Sequence, residues 1–107
     1  MIYEMRSYEV VPGRMPAMNA RFQNHTVGLF EKHGIKVIGF WEAVVGTSNV
    51  LHYMVAFEDL AHRERAWASF QADETWQKVR AESEEDGPIV AHVRNELWRP
   101  SSYSPMR

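Results

Sequence analysis

The fold is decided by residues 35–58, IKVIGFWEAVVGTSNVLHYMVAFE. Its two halves, residues 35–46 and 50–58, are rich in β-branched and aromatic side chains, which favour strands. Between the halves stands Gly46-Thr47-Ser48-Asn49, a cluster of residues typical of turns. The second half alternates as a strand with one buried face does, and the apolar side carries Leu51, Tyr53, Val55 and Phe57. The stretch therefore predicts a β-hairpin.

Two further strand patterns lie towards the ends of the chain, at Ile2–Val10 and Ile89–Trp98. Met15–His33 has its apolar residues on one helical face, which predicts a helix. Asp59–Asp86 predicts a broken or kinked helical region, because Asp73 is a second N-cap residue inside it. The element order is thus β-α-β-β-α-β. Right-handed crossovers then give an α+β fold of the ferredoxin-like split βαβ type, with an antiparallel four-stranded sheet of order 4-1-3-2 and both helices on one face.

The composition excludes several classes of protein. The chain has 107 residues, enough for one domain, which we expect to span residues 1–107 with 99–107 as an extended tail. The net charge is -2 with both signs interspersed, so the basic footprint of a nucleic-acid-binding protein is missing. Cysteine is absent, which excludes disulfides and thiolate metal sites. No apolar run approaches the roughly 20 residues of a membrane helix, and the strand pattern from Ile2 leaves no length for a targeting peptide. We therefore expect a cytoplasmic protein without membrane insertion.

The second strand, within residues 35–46, is apolar on both sides. One side carries Val37, Trp41 and Ala43, and the other carries Ile38, Phe40 and Val44. A strand with two apolar faces needs cover on both, and the two helical regions cover only one. The uncovered face would expose Tyr8, Phe40, Met54 and Trp98 together, a larger patch than monomers usually tolerate. We therefore expect a homodimer in which two sheets face each other inside a shell of helices, which is a dimeric α/β barrel.

Several short segments resemble the NIPSNAP family, and they occur in the family's order. They are Ile2–Tyr8 followed by Val11-Pro12-Gly13, then Glu31–Gly34, Gly39-Phe40-Trp41, Asn49–Arg65, Ala72–Trp76 and Arg99–Pro105. The resemblance covers nearly the whole chain and implies the dimeric α/β barrel fold. It implies no single reaction, because family members are linked to vesicle traffic, mitochondria and small-molecule metabolism. The wider superfamily includes cofactor-free monooxygenases, haem-degrading enzymes and dehalogenase-like proteins, and it offers no catalytic motif to carry over.

The candidate site is a set of polar residues that alternation places on the sheet face turned away from the helices. They are Glu4, Arg6, Tyr8, His52, His92, Arg94 and Glu96. We predict a small-ligand site between the two sheets of the dimer, and its lining is Arg6, Tyr8, His52, His92 and Arg94. Guanidinium groups hold anions by forked contacts, so we expect a small anionic or carbonyl ligand. His52 and His92 are candidate acids or bases. They lack the spacing of metal ligands, and we expect neither a metal nor a cofactor.

Three functions stay open on the sequence alone. The first is a dimer that binds a small ligand without catalysis. The second is a cofactor-independent enzyme of the oxygenase or isomerase type. The third is a structural interaction module, in which Glu4 or Glu96 pairs with Arg6 or Arg94 and salt bridges fill the interior. An open polar cavity favours the first two functions, and a filled interior favours the third.

Overall fold

The computed structural model describes the whole chain, residues 1–107. In chain order its elements are β1 (Ile2–Val10), α1 (Met15–Arg21), a π-helical turn (Phe22–Thr26), α2 (Val27–Lys32), β2 (Lys36–Glu42), β3 (Val50–Phe57), α3 (Leu60–Ala72), α4 (Glu74–Ser83) and β4 (Val90–Trp98). The four strands form one antiparallel sheet in the order β2-β3-β1-β4. The predicted α+β class, element order and strand order 4-1-3-2 are confirmed.

Two aspartates fix the starts of α3 and α4. The Asp59 carboxylate accepts a hydrogen bond from the backbone N–H of His62 at 2.8 Å. Asp73 follows the last residue of α3 in an extended conformation and accepts from the backbone N–H of Trp76 at 3.1 Å. Such side chains satisfy N–H groups that have no partner within the helix. The predicted break in residues 59–86 is thus confirmed, and it lies at Asp73.

The core lies between the helices and one face of the sheet, and it is mainly aromatic. On β3 the predicted inward residues are all at most 3% exposed: Leu51, Tyr53, Val55 and Phe57. Phe30 of α2 packs edge-on against Phe22, Trp67 and Phe70, with ring centroids 5.0 to 6.1 Å apart. This edge-to-face arrangement is the one that aromatic quadrupoles favour. None of the helices has the length and apolar character needed to cross a membrane.

The helices cover β4, an edge strand, less completely than they cover β3. Val93 pairs with Tyr8 and Leu97 pairs with Glu4, so both point to the helix side of the sheet. Even so, Val93 is 40% exposed and Leu97 is 42% exposed. The space above β4 is therefore only partly filled, and a cleft opens there.

Glu4, Arg6 and Tyr8 of β1 lie on the opposite sheet face from the one predicted. Glu4, Arg6 and Tyr8 pair with Val55, Tyr53 and Leu51, the buried side of β3. Directly paired residues share a face, so these three point towards the helices. The prediction that they face away is wrong. Both faces of β1 mix polar and apolar residues, so alternation did not decide its orientation, and pairing with β3 does.

In strand β2, the residues after Val37 also lie on the opposite sheet faces from those predicted. Val37 pairs with Val55, but Phe40 pairs with Tyr53, because the register shifts between Val37 and Gly39. One extra residue reverses the alternation of every residue that follows. Phe40 therefore stacks on Tyr53 in the core at 5.3 Å and does not join an exposed patch. The strand also ends at Glu42 instead of Gly46.

The sheet face turned away from the helices, called the open face below, still carries apolar side chains. It presents Met5, Ser7, Trp41, His52, Met54, Arg94, Glu96 and Trp98. Trp41 is 49% exposed and Trp98 is 44% exposed. After β4 the chain continues without helix or strand, and residues 99–106 border a hollow with Tyr3, Met54 and Trp98. The predicted patch is thus smaller, since Tyr8 and Phe40 have left it.

Candidate functional site

A fully buried carboxylate, Glu4 of β1, lies at the centre of a polar cluster under α3. Oε1 accepts from Arg63 Nε at 2.9 Å and from Trp67 Nε1 at 2.9 Å. Oε2 accepts from Arg6 Nη1 at 2.8 Å, from Asn95 Nδ2 at 2.9 Å and from Arg63 Nη2 at 3.2 Å. We call Glu4, Arg6, Arg63, Trp67 and Asn95 the Glu4 cluster. The carboxylate is fully hydrogen-bonded, as a buried charge must be.

The surroundings of Glu4 hold it in the ionised form. Burial alone would raise the pKa of its carboxyl group, because desolvation disfavours charge. Hydrogen bonds from Arg63, Trp67 and Asn95, together with the charge of Arg6, outweigh burial and lower the pKa of Glu4 to about 2 from 4.5. Glu4 is therefore a structural counter-ion at neutral pH, and no lone pair is left for a ligand.

Arg6 connects the Glu4 cluster to two tyrosines. Its Nε donates to the Tyr53 hydroxyl at 2.8 Å, and its Nη2 lies 3.4 Å from the Tyr8 hydroxyl. The guanidinium carbon lies 4.7 Å from the centre of the Trp67 ring, within range of a cation–π contact. Burial would lower the pKa of Arg6, but Tyr53, Tyr8 and Glu4 raise it above its ordinary value. Arg6 is thus a fixed positive charge.

A cleft of about 420 Å³ opens beside Arg6 and Tyr8, between α4 and the helix side of β1 and β4. We call it the arginine cleft. Its lining is Arg6, Tyr8, Arg21, Gln71, Trp76, Arg80, Glu84 and residues 90–93. The volume falls in the range of pockets that hold small organic ligands. Three arginines and one glutamate among these residues make the cleft electropositive.

The polar groups of the cleft leave part of their hydrogen-bonding capacity unused. Glu84 lies 3.6 Å from Arg21 and 3.7 Å from Arg80, so one carboxylate serves two guanidinium groups at distances longer than a good charged hydrogen bond. Arg21 is 6% exposed, and its Nε has no partner although it is buried. Burial lowers the pKa of Arg21, and Glu84 offsets this only partly. Arg21 and Arg80 thus share one counter-ion, and positive groups outnumber negative ones in the lining of the cleft.

The structure brings together only part of the predicted site. Arg6 and Tyr8 line the arginine cleft, and His92 borders it at the edge of β4, although its pairing with Glu9 places it on the open face. His52 and Arg94 lie on the open face, on either side of Ser7 in the sheet. His52 Nδ1 lies 2.8 Å from Ser7 Oγ. The prediction that all five converge on one face is wrong, whereas their roles in ligand binding stay predictions. No group of three or more His, Asp or Glu side chains is arranged to hold a metal ion.

Sequence reasoning missed the residues that α1 and α4 contribute to the cleft. Two signals were present. Arg21 stands beside the buried Phe22 and three residues after the buried Met18, so a charge lies in the apolar stripe of a helix. Trp76, Arg80 and Glu84 are spaced four apart, which aligns them along one side of α4. A charged residue in a buried stripe and an aligned row of functional side chains together indicate a site.

Comparisons with known proteins place the chain in a family. The family model described as NIPSNAP matches residues 3–105. Protein NipSnap homolog 2 of Danio rerio is 26% identical over 106 residues, which are 99% of this chain and 35% of that protein, so the chain spans about a third of the length of this curated relative. An uncharacterized NIPSNAP domain protein from Burkholderia xenovorans is 25% identical, with a TM-score of 0.86 over 98% of this chain and 99% of that one.

A more distant likeness shows the fold alone. The putative antibiotic biosynthesis monooxygenase from Chloroflexus aurantiacus is 12% identical, with a TM-score of 0.59 over 94% of each chain. The strand order, the segments that match along the sequence and the family model that spans residues 3–105 all agree. The chain belongs to the NIPSNAP family.

Proposed function

We propose that this protein binds a small organic anion in the arginine cleft. The observation that carries the proposal is the lining of the cleft, in which Arg6, Arg21 and Arg80 face one glutamate, Glu84. Glu4 is shared by Arg6 and Arg63, and Glu84 is shared by Arg21 and Arg80, so the cleft has an excess of positive charge at its polar end. Trp76 and Val93 supply an apolar wall. A carboxylate with an apolar or aromatic body matches both features.

Calorimetric titration with phenylacetate and other small carboxylates tests this proposal. Arg80→Gln should weaken phenylacetate binding more than tenfold, because a hydrogen bond to a charged group contributes about 1.5–3 kcal/mol. Lys78→Gln is the matched control: Lys78 lies on the same helix and forms the same kind of i,i+4 pair, with Glu82 at 3.9 Å, outside the cleft. Equal weakening by both changes would show that binding does not involve the cleft. Failure of every carboxylate to bind at 10 mM would overturn the proposal.

A cofactor-free enzyme that uses the same cleft is the second candidate function. Two observations favour it: the likeness of the fold to the putative antibiotic biosynthesis monooxygenase, and the Tyr8 hydroxyl beside a charged arginine at the cleft. Such a hydroxyl can donate a proton to a carbonyl oxygen of a bound anion. NMR spectra of a carboxylate incubated with the protein test this candidate. Conversion of the carboxylate to a product indicates an enzyme, whereas an unchanged carboxylate indicates a binding protein.

We propose further that the open face is covered by a second copy of the chain. Met5 and Met54 are directly paired in the middle of this face, and the half-exposed Trp41 and Trp98 lie on its two edge strands, β2 and β4. Between and around them lie polar groups that a two-fold axis can pair across the interface: Glu9, Glu96 and Arg94, with the histidines His52 and His92. Two sheets joined in this way form the dimeric α/β barrel that the sequence predicts.

Sedimentation equilibrium at micromolar concentration should give twice the 12.5 kDa mass of the chain. Met54→Arg should give a monomer, because it places a charge at the middle of the open face. Leu60→Arg should stay dimeric: Leu60 is 59% exposed at the start of α3, away from the open face. A wild-type protein that sediments as a monomer would overturn the dimer.

A further inference from the structure

The tyrosines beside Arg6 form a hydrogen-bonded chain that ends at the arginine cleft. Arg6 Nε donates to the Tyr53 hydroxyl at 2.8 Å, and the Tyr53 and Tyr8 hydroxyl oxygens are 2.7 Å apart. Tyr53 is fully buried, whereas Tyr8 is half-buried and lines the cleft. Either tyrosine could be the donor of the bond between them on distance alone, so its direction has to come from the other contacts.

Counting donors and acceptors sets that direction. An arginine N–H only donates, so the Tyr53 oxygen accepts from Arg6. The Tyr53 proton then needs an acceptor, because a buried hydroxyl without one is costly. The Tyr8 oxygen at 2.7 Å is the acceptor that the structure provides. Tyr8 thus accepts from Tyr53, with Arg6 Nη2 nearby at 3.4 Å, and its own proton finds no acceptor in the protein.

We infer that Tyr8 donates this free proton to an oxygen of the bound anion, so the cleft selects carboxylates that carry a carbonyl next to the carboxylate: 2-oxo acids. The inference rests on the proposed anion site. The guanidinium carbon of Arg6 lies 5.6 Å from the centre of the Tyr8 ring, and Tyr8 lines the same cleft as Arg21 and Arg80. The hydroxyl therefore shares the cleft with three guanidinium groups, and an oxygen that accepts from it lies close to the carboxylate that they bind.

Tyr53 acts through Tyr8 and is a positioning residue. The Tyr53 hydroxyl donates a hydrogen bond to the Tyr8 oxygen, so the Tyr8 hydroxyl directs its own proton to the ligand. Without the Tyr53 hydroxyl, the Tyr8 hydroxyl loses a donated bond and is free to rotate. Tyr53→Phe should therefore reduce the preference for 2-oxo acids over simple carboxylates.

Benzoylformate and phenylacetate are the probes, because they differ mainly by a carbonyl in place of a methylene group. The wild-type protein should bind benzoylformate at least about fivefold more tightly, the effect of one hydrogen bond. Tyr8→Phe should bring the two affinities within about twofold of each other, because the ratio no longer contains the hydrogen bond to the carbonyl, and it should leave the circular dichroism spectrum unchanged. Tyr53→Phe should give an intermediate ratio.

The outcomes separate the two proposals. If neither probe binds the wild-type protein, the anion site itself is wrong. If phenylacetate binds but benzoylformate binds no better, the anion site stands and the role of Tyr8 is overturned. A preference that persists in Tyr8→Phe also overturns it. If Tyr8→Phe does not fold, the wild-type ratio and Tyr53→Phe decide: a clear preference that falls in Tyr53→Phe supports the inference, and one that Tyr53→Phe leaves unchanged overturns it.

Discussion

Glu4→Gln should lower the free energy of unfolding at pH 7 by about 3 kcal/mol. The carboxylate accepts five hydrogen bonds, and its pKa is lowered to about 2 from 4.5, a depression that corresponds to a stabilisation of this size. Glutamine has one acceptor oxygen in place of two and cannot neutralise Arg6 and Arg63. Urea denaturation measures the loss.

The same carboxylate should give the wild-type protein a characteristic acid response. A carboxyl group whose pKa is lowered in the folded state stabilises the fold above its unfolded-state value and loses that effect as the pH falls towards the folded-state value. For Glu4 the loss should occur between about pH 4.5 and pH 2, and it should be absent in Glu4→Gln. Glu31→Gln, a change at an exposed residue of α2, is the control. If Glu4→Gln unfolds at the same urea concentration as the wild-type protein, the Glu4 cluster does not stabilise the fold.

The fold was predictable because its signals are local. The alternation along β3 marked the buried face, the Gly46–Asn49 cluster marked the hairpin turn, and Asp59 and Asp73 marked the helix starts. Each of these acts within a few residues of its own position. Once the element order was known, the handedness of the crossovers left one arrangement of the sheet.

The site was less predictable because its members are distant in sequence. Glu4 meets partners 59, 63 and 91 residues further along the chain: Arg63, Trp67 and Asn95. The sequence of a strand does not distinguish a polar side chain that is buried among such partners from one that faces water. The sequence pattern therefore assigned Glu4, Arg6 and Tyr8 to the wrong face. The bulge before Gly39 reversed Phe40 in the same way, since one inserted residue leaves the composition of a strand unchanged.

The Glu4 cluster and the arginine cleft match two different functions among the three that the sequence left open. The Glu4 cluster is the filled, salt-bridged interior expected of a structural module, although it lies under α3 and not between two sheets. The arginine cleft next to it is open and polar, as expected of a binding protein. Arg6 belongs to both, because one guanidinium group contacts Glu4 and the two tyrosines. The structural network therefore orients the charge that the cleft presents.

Because of this double role, Arg6→Ala should destabilise the protein by about 3 kcal/mol, as expected when one member of a buried ion pair is removed. The change takes a donor from Glu4 and from Tyr53, and it removes the cation over Trp67. The sequence alone, which assigns Arg6 to a ligand site, predicts weaker ligand binding with the dimer intact. Thermal and urea unfolding at pH 7 measure the effect.

Arg65→Ala is the matched control, because Arg65 is exposed on α3 and lies outside both the cleft lining and the open face. It should change stability by less than about 0.5 kcal/mol. The double variant Glu4→Gln/Arg6→Ala should lose less than the sum of the two single changes, because both remove the same contact. If Arg6→Ala is as stable as Arg65→Ala, then Arg63, Trp67 and Asn95 suffice to hold Glu4. Arg6 would in that case act on the cleft alone.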